Sequence, residues 1–177
     1  MLGEIKAILY PAYNVNKTGN VFILEETGKE ASCKEAKFEA KNEYLIYKFD
    51  QSIQRDRVKI KQLFPFYNAG NASAMCDYII FYKKNDSRLF AVICNLKSKN
   101  KNNNSGQIKA GEIFSQFLFN TAKRLYPDTF SSIKLEIKNV LFSSIRLYSN
   151  NGSKSGIINL LSNDDVKESF IFENKCR

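Results

Sequence analysis

The sequence predicts an α+β protein in which several strands and one long helix form a single domain of 177 residues. Hydrophobic residues make up 44% of the chain, so a core can form without disulfides or structural metals. Stretches rich in aromatic and β-branched residues predict the strands. The most evident are residues 44–49, 77–82, 88–97 and 133–138. Shorter strands are expected at residues 21–24, 140–147, 157–161 and 170–172.

The long helix is predicted at residues 106–125, where apolar residues recur at helical spacing and Pro127 follows the last of them. The spacing predicts one buried stripe on this helix. Its members are Ala110, Ile113, Phe114, Phe117, Leu118, Thr121, Ala122 and Leu125. A second, shorter helix or a turn is expected at residues 56–63.

The chain contains no histidine, which excludes Ser-His-Asp catalysis, Cys-His catalysis and histidine-held zinc. None of the four cysteines forms a C-x-x-C pair, so a zinc ribbon is not expected and the thiols are expected to be reduced. An enzyme built from this chain would therefore use carboxylates, amides, lysines or a metal held by oxygen atoms.

The formal net charge of +9 favours a polyanionic partner, and nucleic acid is the first such class. Lys- and Asn-rich composition can also follow from an AT-rich genome, so charge alone does not decide the partner. No stretch approaches the roughly 20 apolar residues of a membrane span. The first residues lack the layout of a secretion signal, so we expect a cytoplasmic protein without membrane contact.

The most informative stretch is a predicted β-hairpin, in which strands 77–82 and 88–97 flank the polar turn KKNDS. A turn centred on Asp86 pairs residues whose numbers sum to about 172, and therefore places Asp77 opposite Asn95. Strand alternation puts Asn95 and Lys97 on one face. Because the long helix begins shortly afterwards, Gln107 is expected near the same end of the hairpin.

An acid, an amide and an amine at one hairpin end suit phosphodiester hydrolysis. A divalent cation with oxygen ligands activates water and neutralises phosphate charge, and Mg²⁺ or Mn²⁺ fits such ligands. A nearby lysine steadies the transition state electrostatically. We therefore expect Asp77 and Asn95 to bind the metal, Lys97 to assist the water and phosphate, and Gln107 to orient nearby groups.

At these positions the chain resembles the PD-(D/E)xK superfamily of nucleases, which has a restriction-endonuclease-like fold. Asp77 fits the first acid, Lys97 fits the lysine, and Gln107 resembles a helix glutamine that many members carry. The resemblance covers less than a third of the chain. It implies an αβββαβ core with a central mixed β-sheet flanked by helices, and Mg²⁺-dependent cleavage of DNA. It also implies settings such as restriction, phage defence or mobile elements, and a homodimer or a partner protein.

The chain departs from the family pattern at Asn95, which replaces the second acid. Three explanations stand: a natural inactive nuclease, an engineered inactivating change, or migration of the acid onto the following helix. Some branches of the superfamily carry that acid about fourteen residues after the lysine, which points to Glu112. Helical phase predicts that Glu112 lies opposite the apolar stripe and faces solvent, which argues against migration.

Many family members also place an acid on an N-terminal helix, and four glutamates qualify: Glu30, Glu35, Glu39 and Glu43. The alternative function is a catalytically inactive nuclease fold that binds nucleic acid or another protein. A third reading, an interaction protein unrelated to nucleases, would leave Asp77 and Lys97 far apart in space.

Overall fold

The computed structural model is an α+β protein whose centre is a five-stranded mixed β-sheet with helices on one face. The structure describes residues 1–15, 21–25, 35–40, 43–49, 53–55, 58–60, 75–97, 104–143, 158–161 and 170–174. The helices are α1 (Leu2–Ile8), α2 (Asn104–Leu125) and α3 (Pro127–Phe130). Within these ranges, no helix has the length and apolar character needed to cross a membrane.

The strands fall into three sheets. The five-stranded sheet has the order β3 (Tyr44–Lys48), β6 (Tyr78–Asn85), β7 (Arg88–Lys97), β8 (Lys134–Ser143) and β9 (Ile158–Leu161). A three-stranded sheet has the order β1 (Val21–Glu25), β2 (Glu35–Ala40) and β10 (Phe170–Asn174). The remaining pair is β4 (Ile53–Arg55) with β5 (Val58–Ile60).

The pairing in the main sheet is antiparallel except between β7 and β8, which run parallel. Parallel neighbours need a crossover connection, and α2 lies between these two strands in the chain. Because α2 must return the chain to the end of the sheet where β7 begins, it runs antiparallel to β7. The first turn of α2 therefore lies toward the end of β7.

Strand alternation divides the core into two clusters, one on each face of the main sheet. On the helix face, Ile79, Phe81, Leu89, Ala91 and Ile93 pack with α1, α2 and α3. On the opposite face, Tyr78, Ile80, Tyr82, Phe90, Val92 and Cys94 pack with Phe22 and Leu24 of β1. The hydroxyl of Tyr78 joins the two sheets, since it accepts from the Glu25 N–H and donates to the Glu25 carbonyl.

The β6–β7 hairpin confirms the predicted register. Tyr78 pairs with Cys94, and the pairing continues in step to Lys83 opposite Leu89. A β-bulge between Lys83 and Asn85 then shifts the register by one before the turn. The predicted strands at 133–138 and 140–147 fall on one strand, β8, as far as Ser143, and residues 144–147 lie outside the described residues.

Two expectations are wrong. The region predicted as a helix or turn at 56–63 contains strand β5, preceded by β4. The N-terminal helix is α1, so it carries none of the four glutamates that were considered. Glu35 and Glu39 lie on strand β2, Glu43 precedes β3, and Glu30 lies outside the described residues.

Candidate functional site

Asp77 and Asn95 meet at the open end of the β6–β7 hairpin, as the register predicts. The Asn95 Oδ1 accepts a hydrogen bond from the Asp77 backbone N–H, with 3.2 Å between oxygen and nitrogen. In return, the Asp77 Oδ2 accepts from the Leu96 backbone N–H at 2.6 Å. Each side chain thus binds the main chain of the opposite strand, and the two bonds hold the strand ends together.

Both side chains are buried: Asp77 is 6% exposed and Asn95 is fully covered. The backbone of Asp77 is also held by β3, because its carbonyl accepts from the Phe49 N–H at 3.2 Å. The Asp77 carboxylate is therefore bound to β7, while the Asp77 carbonyl is bound to the residue that follows β3. Short, charge-assisted bonds of this kind are among the stronger hydrogen bonds in proteins.

The Asn95 Nδ2 is buried without a hydrogen-bond partner. The orientation of the amide follows from its donor, because only Oδ1 can accept from the Asp77 N–H. A buried donor without an acceptor costs about 1–3 kcal/mol, so this atom is either a cost accepted for function or a contact point for a ligand or water.

The first turns of α2 cover this end of the hairpin. Gly111 makes the approach close: a Cβ at this position would lie 2.8 Å from the Cys76 Sγ and 2.9 Å from the Ile93 Cγ2. Since α2 runs against β7, Gln107, one turn earlier, lies toward the end of β7 that carries Asn95. Gln107 is partly buried in the first turn of the helix, and its role beside the site stays a prediction.

Lys97 ends β7, two residues after Asn95, and its backbone pairs in register with Ser143 of β8. Strand alternation therefore keeps positions 95 and 97 on one face of the strand. The side chain of Lys97 lies outside the described part of the structure, so its role stays a prediction.

Glu112 does not face solvent, and the prediction from helical phase is wrong. Its Oε1 accepts a hydrogen bond from the Asn139 Nδ2 of β8 at 2.8 Å, and its Oε2 lies 3.1 Å from the Lys109 Nζ. The side chain is 26% exposed. The Asn139 hydrogen bond is the largest cause that lowers the pKa of Glu112, and Lys109 adds to it, so the carboxylate is ionised at neutral pH.

The predicted apolar stripe of α2 is only partly correct, which explains the error at Glu112. Phe114, Leu118 and Ala122 are buried, but Ile113 and Phe117 are 61% and 63% exposed. Gly111 and Ser115 are buried in their place. The helix is thus rotated toward its small residues, which brings Glu112 to the flank that lies over β8.

The two cysteines that the structure describes, Cys76 and Cys94, are free and buried beside Asp77. Burial raises the pKa of the Cys76 thiol, and the Asp77 carboxylate raises it further. Burial likewise raises the pKa of Cys94. A thiol that stays protonated is a poor nucleophile and a poor metal ligand.

The acids of the site are few. Across the described ranges, no three or more cysteines and acids are grouped as a cluster that could hold a metal. On α1, Glu4 binds the chain's N-terminal amine and Thr129 of α3. Among the described residues, the Asp77 carboxylate is buried at the open end of the hairpin, and the Glu112 carboxylate lies on the flank of α2 that faces β8.

Comparison with protein-family models, with characterised proteins and with solved structures found no match.

Proposed function

We propose that this protein is a metal-dependent nuclease of the PD-(D/E)xK kind that hydrolyses DNA. The observation that carries the proposal is the meeting of Asp77 and Asn95 at the open end of the β6–β7 hairpin, beneath the first turns of α2. Asp77 immediately precedes the second strand of the main sheet, and the Asn95-x-Lys97 sequence ends the third. These are the positions where the family carries its acid and its lysine.

The order of elements supports the same proposal. A helix, α1, precedes the first strand of the main sheet, and three antiparallel strands follow as β3, β6 and β7. The helix α2 then leads to β8, which is parallel to β7. Taken without the strands that lie outside the main sheet, this is the αβββαβ order that we would expect of a restriction-endonuclease-like core. Order and site together favour the family more than the net charge does, since net charge says nothing about fold.

The oxygen donors present fit a hard divalent cation such as Mg²⁺ or Mn²⁺. Asp77 and Glu112 would hold it together with main-chain carbonyls. Glu112 would then supply the negative charge that Asn95 lacks. Asn95 would add a neutral oxygen only through the second lone pair of Oδ1, because the first accepts from the Asp77 N–H. When bound, the metal would activate water and neutralise phosphate charge.

The other residues act on the substrate and on the site. The Asp77 carboxylate is buried and accepts from the Leu96 N–H of β7, which limits its movement. Lys97 would place its positive charge against the phosphate, where an amine stabilises developing negative charge. Gln107 would orient groups at the helix start. The formal charge of +9 favours approach of DNA.

A second candidate is a nuclease fold without catalysis that binds nucleic acid or a partner protein. The observation that favours it is Asn95, which is fully buried, uncharged and already bonded to the main chain. In that case Asp77 and Asn95 would serve only to hold the two strand ends together, and the excess of Lys and Arg would serve binding.

The test is cleavage of supercoiled and single-stranded DNA in Mg²⁺ or Mn²⁺ by the chain and matched variants. Asp77→Asn removes the proposed ligand, and Asp86→Asn makes the same change at the exposed turn of the same hairpin. Lys97→Ala is matched by Lys134→Ala, since Lys134 is exposed at the far end of β8. We expect Asp77→Asn and Lys97→Ala to lower cleavage at least about 100-fold and the controls to leave it unchanged.

The proposal is wrong if the chain cuts no DNA in either metal, or if the site variants cut as well as their controls. If the chain binds DNA with a strong salt dependence but never cuts, the second candidate replaces the first.

A further inference from the structure

We infer that Asn139 is a positioning residue that holds the Glu112 carboxylate in place for metal binding. This inference rests on the proposed function. It goes beyond that function because Asn139 contacts neither the metal nor the DNA in the proposal. Its Nδ2 donates to the Glu112 Oε1 at 2.8 Å, so this hydrogen bond reaches the helix from a strand of the sheet.

The fold makes this contact short. Asn139 lies on β8 directly beside Ile93 of β7 in the parallel register. Ile93 is also the residue against which Gly111 packs, and Glu112 follows Gly111 in the chain. The close approach at Gly111 therefore sets the height of Glu112 above β8. A hydrogen bond from a strand then fixes the direction of a side chain that an exposed helix position would leave mobile.

The two ends of the Asn139 amide indicate that this side chain does more than fill space in the packing. Its Oδ1 is buried without a partner, while its Nδ2 binds Glu112. Leucine or valine at this position would avoid the unsatisfied oxygen, as the apolar neighbours Ile137 and Val140 do. An amide that leaves one end unsatisfied is explained if its other end is needed by a charged group.

Outer-shell hydrogen bonds of this kind orient metal-binding carboxylates in many sites, and their loss weakens metal binding about 10–100-fold. The Lys109 Nζ, which binds the other oxygen of Glu112, cannot replace Asn139, because it lies on the same helix and its side chain is 70% exposed. Asn139 is thus the partner of Glu112 that is half-buried and held on a strand of the sheet.

The test is a double-mutant cycle between Asn139→Leu and Glu112→Gln, with three measurements on each protein. These are Mn²⁺ binding by water-proton relaxation, DNA cleavage, and the urea midpoint of unfolding without metal. Asn120→Leu is the control, because it makes the same change at an exposed position of α2.

We expect Asn139→Leu to weaken Mn²⁺ binding at least about 10-fold, while Asn120→Leu has no effect. In the Glu112→Gln background, Asn139→Leu should add no further loss, because its effect passes through Glu112. The urea midpoint of Asn139→Leu should stay the same or rise, which a purely structural role would not allow.

Three results would overturn the inference. If Glu112→Gln abolishes Mn²⁺ binding and Asn139→Leu leaves it intact, Asn139 has no positioning role, although the nuclease proposal stands. If Glu112→Gln binds Mn²⁺ as well as the unchanged chain, Glu112 is not a ligand. If the unchanged chain neither binds Mn²⁺ nor cuts DNA, the proposed function and this inference fail together.

Discussion

The two ends of the β6–β7 hairpin carry the same residue types in opposite surroundings. At the turn, Asn85 and Asp86 are exposed, and their partners are close in sequence: Ser87 donates to the Asn85 Oδ1 at 3.0 Å and Lys83 pairs with Asp86. At the open end, Asp77 and Asn95 are buried, and their partners lie on the opposite strand.

The difference shows what burial adds to an ordinary polar pair. Water can replace a lost partner at the turn, so the contacts there are worth little. Asn95 is fully buried, so losing either bond at the open end would leave a buried polar group without its partner. One hairpin thus has an end made for turning the chain and an end that holds chemical groups at fixed positions.

We expect the largest difference in stability between the two ends when the asparagine at each end is replaced in turn by aspartate. Asn95→Asp buries a second carboxylate beside Asp77, and we expect a loss of about 3 kcal/mol in the free energy of unfolding at pH 7. The same change at the turn, Asn85→Asp, should stay within about 0.5 kcal/mol. Urea denaturation of both variants measures the difference.

Divalent metal sharpens this prediction. If the open end is a metal site, Mg²⁺ or Mn²⁺ should restore much of the stability of Asn95→Asp and none of Asn85→Asp, because a ligand that binds only the folded state stabilises it. Equal stability of the two variants without metal would contradict the burial that distinguishes the ends.

A smaller effect should follow from changing how α2 covers the open end. Gly111→Ala introduces a Cβ that would meet the Cys76 Sγ and Ile93 Cγ2, so we expect a loss of about 1–3 kcal/mol. Gly106→Ala is the control: nothing lies within 4 Å of its Cβ, and alanine favours a helix by up to about 1 kcal/mol. Thermal unfolding should therefore move in opposite directions for the two variants.

The smallest effect is expected beside the turn, where the Arg88 Nε lies 2.6 Å from the Glu136 Oε1. Arg88 is the largest cause that lowers the pKa of Glu136 below its usual 4.5. A lowered pKa contributes stability above the unfolded value, and that stability is lost as pH falls through the folded value. Glu136→Gln should cost about 0.2–1 kcal/mol at pH 7. It should also flatten the fall in stability below pH 4.5, and an unchanged acid profile would show that the pair contributes nothing.

The hairpin was predictable from the sequence because its information is local. Alternation of side chains and a short polar turn fix the register, and the register alone brings Asp77 to Asn95. The register brings these two side chains within hydrogen-bonding distance of the opposite strand. It does not say which atoms donate and which accept. The bulge at Lys83 was not predictable, but it lies at the far end and leaves the site unchanged.

The orientation of α2 was not predictable, because the helix is apolar on more than one side. Helical phase selects the stripe with the largest side chains, whereas the fold selected Gly111 and Ser115, whose small size allows close approach to the sheet. Glu112 was misplaced for this reason alone. Strand β2 was also missed, since one of its partners, β10, lies more than a hundred residues away in the chain.

The rotation of α2 leaves Ile113, Phe117 and Leu125 on the outer surface of the helix, spaced so that they form one line along it. Exposed apolar side chains restrict the orientations of the water around them, and two copies of the chain could cover this line by touching. Their mutual charge repulsion at +9 each opposes that contact, and dissolved salt weakens the repulsion. The protein should therefore stay dispersed in dilute buffer and cloud as ionic strength rises, which is the reverse of the salting-in expected of a polar surface.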